Sequence, residues 1–239
     1  MQETRHARLK LDRGFSQRKL FLAGVALRTM ARGVNTYQPV MFRGKPISRG
    51  IRDTEPRIKV VLDTVESVGA DTVIDLGCAE GYFVRRVAES GCLAIGVDAD
   101  VRRLALAQWS LTLDGVDNFG FVRSQISSEL LGRLPTSDVT VCLSLLHHVM
   151  YEHGEEYAST LVKGIAARTR KAMVFEMGQS NEIEFGWSKH LPDMGNDPHD
   201  WIADFLTRSG FASVRKALIV PSYNSDVGRA TLVATPSTR

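Results

Sequence analysis

Two acids set the chemistry this chain could do. Asp75 closes the apolar run Val73-Ile74, and Asp98, 23 positions later, closes Leu93-Ala94-Ile95-Gly96-Val97. Between them Gly77 and Gly81 have the spacing G-x-x-x-G. Dinucleotide sites need G-x-G-x-x-G, whose third glycine lets helix pack on strand. A carboxylate at Asp75 would repel a pyrophosphate, but it can bind an ammonium through the loop. An acid at the tip of the next strand suits a ribose diol. The pair therefore describes a ligand with a cationic amino-acid part, a nucleoside part and no phosphate. Further along, His147-His148 follows the apolar run Asp138–Leu143, and a histidine near its ordinary pKa of ~6.5 can act as a base. Adjacent side chains point to different sides, so at most one of the two is expected to be catalytic.

The elements that must hold these residues can be read from the pattern. An apolar run, a glycine turn and a helical stretch from Tyr82 to Ser90 make a strand, a tight turn and a helix N-terminus. S-adenosylmethionine has the shape that the two acids call for. Asp75, Gly77 and Cys78 are expected at its methionine end, Gly81 where backbone must come close, and Asp98 at its ribose. The same turn and strand ends extend the cofactor-facing set to Ala79, Tyr82, Phe83, Ala99, Ile126 and Ser144.

Strands and helices then alternate, as in a parallel sheet. Asp100 opens a helix to about Leu113. Strands follow at Phe119–Arg123, Asp138–Leu143 and Ala172–Glu176, with a helix through Tyr157, Leu161, Val162 and Ile165 before the last of these. Asp197-Pro198 starts a helix that Gly210 ends. Ala212–Pro221 and Arg229–Ala234 read as an antiparallel pair. The expected fold is α/β: a Rossmann-like, seven-stranded, mostly parallel sheet with helices on both faces and a basic helical N-terminal extension. Residues 1–53 form the arm, a helix near Gln17–Arg32 and a lid loop from Gly33 to Asp53. Residues 54–239 form the cofactor-binding domain, whose first helix starts at Thr54.

At 239 residues, 44% hydrophobic and 24% charged, the composition is that of an ordinary globular chain with an ample core. Charge is uneven: residues 1–60 hold 14 Lys/Arg against four acids, and the remainder 16 against 23. Such an arm suits an anionic partner, whether phosphate groups, the inner face of a membrane or nucleic acid, and a solvated basic tail is the plain alternative. Its apolar stretch, Leu20 to Leu27, falls far short of the ~20 residues of a membrane span. Cys78, Cys92 and Cys142 lie in the turn or in apolar runs, so reduced thiols and a cytoplasmic location are expected. No zinc-ligand spacing occurs, and no metal is expected.

The motif V-I-D-L-G-C-A at 73–79 resembles the first motif of class I S-adenosylmethionine-dependent methyltransferases. A narrower resemblance is to the methyltransferase domain of the bifunctional O-antigen chain-terminating methyltransferase/kinase family. It rests on Tyr37-Gln38, Arg57, G-V-D at 96–98, L-S-L-L-H-H-V at 143–149 and Phe175-Glu176. It runs from about residue 37 to residue 235, and the kinase segment of that family has no counterpart in these residues. The resemblance implies that Tyr37, Gln38 and Arg57 close over the cofactor and that the loop after the third strand, here Gln125 and Ile126, receives adenine. It also implies O-methylation of a glycan, glycolipid or phosphorylated sugar in bacterial polysaccharide synthesis. A hydroxyl acceptor would want a base, His148 or His147. A phosphate oxygen would want cations instead, from Arg43, Lys45, Arg49 and Arg52. Glu176, Trp187 and His190 are expected at the acceptor entrance.

Other readings separate on residues. A small secondary metabolite is an alternative acceptor. An RNA base amine usually takes an Asn/Asp-Pro-Pro-aromatic turn where this chain has Ser144-Leu145-Leu146-His147, so nucleic acid is disfavoured. A dehydrogenase would need Tyr-x-x-x-Lys, but Leu161 stands four positions after Tyr157. A non-catalytic, cofactor-binding partner subunit is the non-enzymatic option.

Overall fold

The computed structural model describes residues 36–51, 53–223 and 225–237. The expected helix at Gln17–Arg32, most of the basic arm and Arg52 lie outside the described residues.

Seven strands form one sheet in the order β5-β4-β3-β6-β7-β9-β8. In chain order these are β3 (Thr72–Leu76), β4 (Leu93–Asp98), β5 (Phe119–Arg123), β6 (Ser137–Leu143), β7 (Thr169–Glu176), β8 (Phe211–Pro221) and β9 (Gly228–Pro236). The first five are parallel. β9 runs antiparallel to both β7 and β8. Strand order reverses between β3 and β6, which opens a crevice at their carboxyl ends, where open α/β sheets bind ligands.

The pleat sends alternate residues to opposite faces. Val73, Ala94, Val141 and Val174 pack with α1 (Glu55–Ser67), α2 (Tyr82–Glu89) and α3 (Val101–Leu113). Ile74, Leu76, Cys142, Met173 and Phe175 pack with α4 (Ser128–Arg133), α5 (Leu146–Ala166) and α6 (Pro198–Arg208). Helix starts follow the local rules: Asp100 accepts from Arg102 N and Arg103 N, and Asp197 from His199 N and Asp200 N. Thr54 stands at the start of α1, but its hydroxyl makes no cap. The stretch after His148 does not form one smooth helix either. Gly154, at φ 83° and ψ 171°, breaks α5.

The loop expected at 33–53 contains a hairpin, β1 (Val40–Phe42) with β2 (Lys45–Ser48). Its two-residue turn, Arg43-Gly44, has φ of 51° and 70°, the primed geometry that matches strand twist. Phe42 stacks on Trp109 of α3 at 5.4 Å, and Ser110 Oγ donates to Met41 O. The hairpin is therefore docked on α3.

Candidate active site

The glycine turn is fastened to the end of β4. Gly77 N and Cys78 N both donate to Val97 O at 2.8 and 3.0 Å, and Ala79 N donates to Asp98 Oδ2 at 2.9 Å. Gly77, Ala79 and Gly81 all have positive φ. For Ala79 that conformation costs on the order of 1 kcal/mol, which the Asp98 bond helps offset. The other Asp98 oxygen accepts from Asp100 N at 2.8 Å. Each oxygen thus accepts one backbone bond and keeps further acceptor capacity, and Asp98 lines the crevice, a cleft of about 620 Å³.

Of the residues expected at the cofactor, Tyr37, Gly77, Ala79, Asp98, Ala99, Gln125, Ile126 and Ser144 line this cleft. Others stand behind it. Gln38 is buried, and its Oε1 accepts from Tyr82 N at 2.9 Å, so it caps α2. Arg57 is buried against Asp53 O at 2.7 Å and Glu176 at 3.5 Å. Tyr82 turns its hydroxyl to Glu55 and Arg86, and Phe83 joins the core under α2. Cys78 contributes backbone to the turn while its side chain is buried, and burial pushes its thiol well above the ordinary range. Gly81 was expected to admit a ligand. A Cβ there would instead sit 2.9 Å from both Ala107 Cβ and Phe121 Cζ, so the glycine lets α2 pack against α3 and β5.

Asp75 lies on the α2 face of β3, beside Phe83, Val84 and Val87. Its Oδ2 is buried and has no hydrogen-bond partner. Burial first, and then repulsion from Asp98, pushes its carboxyl up to about 8. A buried carboxyl in that state is relieved by a nearby cation, and Asp75 itself does not line the cleft. Sequence reasoning missed Glu80. Its buried carboxylate accepts from Tyr37 N at 3.0 Å and Gln38 N at 2.9 Å and lies 3.8 Å from Arg103, so it ties the N-terminal segment to the glycine turn. A buried acid in the turn whose role needs partners some forty residues upstream leaves no local signal.

At the other end of the cleft, Ser144 follows β6 in a left-handed conformation, φ 55°. Its N donates to Glu176 O and its Oγ to Glu176 Oε1, at 2.8 and 2.7 Å. Glu176 was expected to face the acceptor. It is 0% exposed and sits between Arg57 at 3.5 Å and Arg229 at 3.9 Å, a buried anchor for Ser144.

His147 and His148 both line the cleft on the first turn of α5, with rings 4.2 Å apart. His147 is buried, and its Nδ1 accepts from Gly178 N at 3.0 Å. That bond assigns it the uncharged tautomer with hydrogen on Nε2, a donor at that nitrogen. His148 is open to the cleft. Burial and then the Arg229 charge lower its pKa, against an opposing pull from Glu152. His148 is thus the uncharged imidazole available as a base near neutral pH.

Trp187 lines the cleft, stacked on Phe185 at 5.3 Å and tilted against His147 at 4.5 Å. The remaining acceptor residues lie elsewhere. His190 is exposed and meets Tyr151 edge-on. Arg43 borders a separate groove, its N donating to Asp114. Among the described residues no group of His, Cys, Asp and Glu could hold a metal ion, and no helix is long and apolar enough to cross a membrane.

No family model matches the chain. Over 173 residues it is 25% identical to the O-antigen chain terminator bifunctional methyltransferase/kinase WbdD of Escherichia coli, a match that covers 70% of this chain and 24% of that protein. The crystal structure of WbdD superposes with a TM-score of 0.67 at 23% identity, covering 77% of this chain and 41% of that one. The ubiquinone biosynthesis O-methyltransferase of Pseudomonas entomophila (strain L48) is 32% identical over 101 residues, 41% of this chain and 42% of the relative. The N-terminal domain of EvdMO1, crystallised in the presence of SAH and D-fucose, superposes with a TM-score of 0.62 at 18% identity over 95% of this chain and 97% of that one. The chain thus spans about a quarter of WbdD. The fold is that of class I methyltransferases, and the homologues and structural neighbours support an S-adenosylmethionine-dependent methyltransferase.

Proposed function

We propose that this methyltransferase O-methylates a hydroxyl of a glycan, glycolipid or phosphorylated sugar in bacterial polysaccharide synthesis. The observation that carries the reading is the exposed His148 imidazole at the carboxyl end of β6, beside the stacked Phe185–Trp187 pair in the same cleft. A hydroxyl needs a base, and a flat aromatic pair suits the apolar face of a sugar ring. The likeness to WbdD, named for O-antigen chain termination, and to a domain crystallised with D-fucose supports a carbohydrate.

The residues present fit S-adenosylmethionine. Asp98 would take the ribose hydroxyls, and charge-assisted bonds of this kind are worth roughly 1.5–3 kcal/mol. Ala99, Gln125 and Ile126 would flank adenine. The Gly77 turn, with the charge-starved Asp75 behind it, would face the cationic amino end. Bound there, the cofactor supplies an electrophilic methyl group on a sulfonium. Ser144, fixed by Glu176, shapes the wall between the two halves of the cleft. His148 accepts the hydroxyl proton on its free ring nitrogen, and alignment of acceptor with methyl contributes most of the acceleration. The basic excess before residue 60 supports peripheral contact with an anionic membrane surface.

A small phenolic acceptor is the second reading, favoured by the ubiquinone biosynthesis relatives. Methyl-labelled S-adenosylmethionine offered with neutral oligosaccharides, phosphorylated sugars and catechols separates the two. Label on a carbohydrate oxygen, lost in His148→Gln, is the expected result. Label on the catechol alone would replace the carbohydrate reading.

A further inference from the structure

Among the described residues, the arginines that line the cleft are Arg103 and Arg229, and neither offers the acceptor half a spare charge. Arg103 lies over the Tyr37 ring and 3.8 Å from Glu80, at the cofactor end. Arg229 of β9 is 4% exposed and already committed. Its Nε and Nη2 donate to the Glu182 carboxylate at 2.6–3.0 Å. Its Nη1 reaches Ser144 Oγ at 3.4 Å and Glu176 Oε1 at 3.9 Å. Arg57 meets Glu176 from another element at 3.5 Å. Two buried cations thus face two buried carboxylates, and the cluster closes on itself without net charge. The carboxylate left on the acceptor side is Glu152, one turn along α5 from His148.

The aromatic wall is equally selective. Phe185 stacks on Trp187 at 5.3 Å, the Arg229 guanidinium lies over the same ring at 5.5 Å, and His147 tilts against it at 4.5 Å. The benzo edge of Trp187 abuts Gly178, where a Cβ would stand 2.3 Å from Cη2. Little of the Trp187 ring is left for a ligand. Phe185 differs. It is half-buried, lines the cleft and, among the described residues, stacks on no other ring. Its turn is also fixed: Phe185 N donates to Glu182 O at 3.1 Å, and Ser222 Oγ donates to Glu182 Oε2 at 2.5 Å. Ser225 Oγ donates to Glu184 Oε2 at 3.2 Å, so the β8–β9 loop is laced to the turn that presents Phe185.

We propose that the acceptor is an uncharged sugar whose apolar face stacks on Phe185, and that this wall disfavours phosphorylated sugars. The proposal rests on the carbohydrate reading above and narrows it. A phosphate entering this half would shed water beside Glu152 and Glu176 and find every cation already paired. A sugar ring needs only a flat apolar surface, and its hydroxyls can donate to Glu152.

The charge half is tested by titrating inorganic phosphate, to tens of millimolar, into the S-adenosylhomocysteine complex. The Trp187 indole N–H, assigned by its loss in Trp187→Phe, is followed by NMR. No saturable shift is expected, and a saturable one overturns the proposal. In the labelled-transfer assay, neutral oligosaccharides are then paired with the same chains bearing a phosphate on the terminal ring, and label is expected on the neutral member. Phe185→Leu should raise KM for that acceptor about 3–10-fold, the scale of one aromatic contact, with KM for S-adenosylmethionine unchanged and Phe185→Tyr close to wild type. A residue that merely braced the cleft would move both KM values. Label on the phosphorylated member alone keeps the carbohydrate reading and overturns this one, as does an acceptor KM indifferent to Phe185→Leu. Label on a catechol alone sinks both. With no sugar labelled, the phosphate titration still decides the charge.

Discussion

Asp75→Asn is expected to make the apo-protein more stable at high pH and to weaken cofactor binding. The buried carboxyl titrates at about 8 rather than 3.8, because burial and then Asp98 disfavour its charge. The folded pKa lies above the unfolded one, so between those values the unfolded chain has released a proton that the folded chain keeps. Stability therefore falls as pH rises through that window. The gap is worth on the order of 5 kcal/mol once both states are ionised. Asparagine removes this slope, so the difference in unfolding free energy between variant and wild type should grow from about pH 4 to pH 8 and then level off. Binding of a cation that needs the ionised form should release a proton, about 0.9 per site at pH 7, and affinity should rise roughly 50-fold from pH 6 to pH 8. Isothermal titration with S-adenosylmethionine in buffers of different ionisation enthalpy reads both quantities. No proton release, together with equal affinity in Asp75→Asn, would refute the link between the orphaned carboxyl and the ligand.

Two further outcomes follow from the glycine turn. Gly81→Ala should lower stability by roughly 2–4 kcal/mol, because φ of 74° disfavours a side chain and the new Cβ meets Ala107 and Phe121 at 2.9 Å. An unchanged chemical-denaturation midpoint would contradict that packing. Glu80→Ala strips the charged acceptor from Tyr37 N and Gln38 N. It should cost about 2–4 kcal/mol and speed amide exchange at those two residues, while Arg43 N, held separately by Asp114, keeps its protection.

The central strands were legible because each carries a short apolar run that ends at the crevice. Asp75, Asp98, Leu143 and Glu176 all stand at or next to the carboxyl ends where the structure places the crevice. The functions of individual side chains were less legible, since they depend on distant partners. Arg57 and Glu176 are 119 positions apart, and Gln38 caps a helix that starts 44 positions later. Gly81 marked a place with no room for a side chain, but sequence could not say whether ligand or helix filled the space. The Arg43-Gly44 turn was the signal for the hairpin, and the density of basic and glycine residues around it masked the two short strands.

The most direct measurement is a crystal structure of the protein grown with S-adenosylhomocysteine, the demethylated product of the cofactor, which has no methyl group to transfer. The ribose hydroxyls are expected on the Asp98 carboxylate, with adenine beside Ala99 and Ile126 and the amino end over the Gly77 turn. A nucleoside bound away from Asp98, or no ligand in the β3–β6 crevice at saturating concentration, would contradict the assignment.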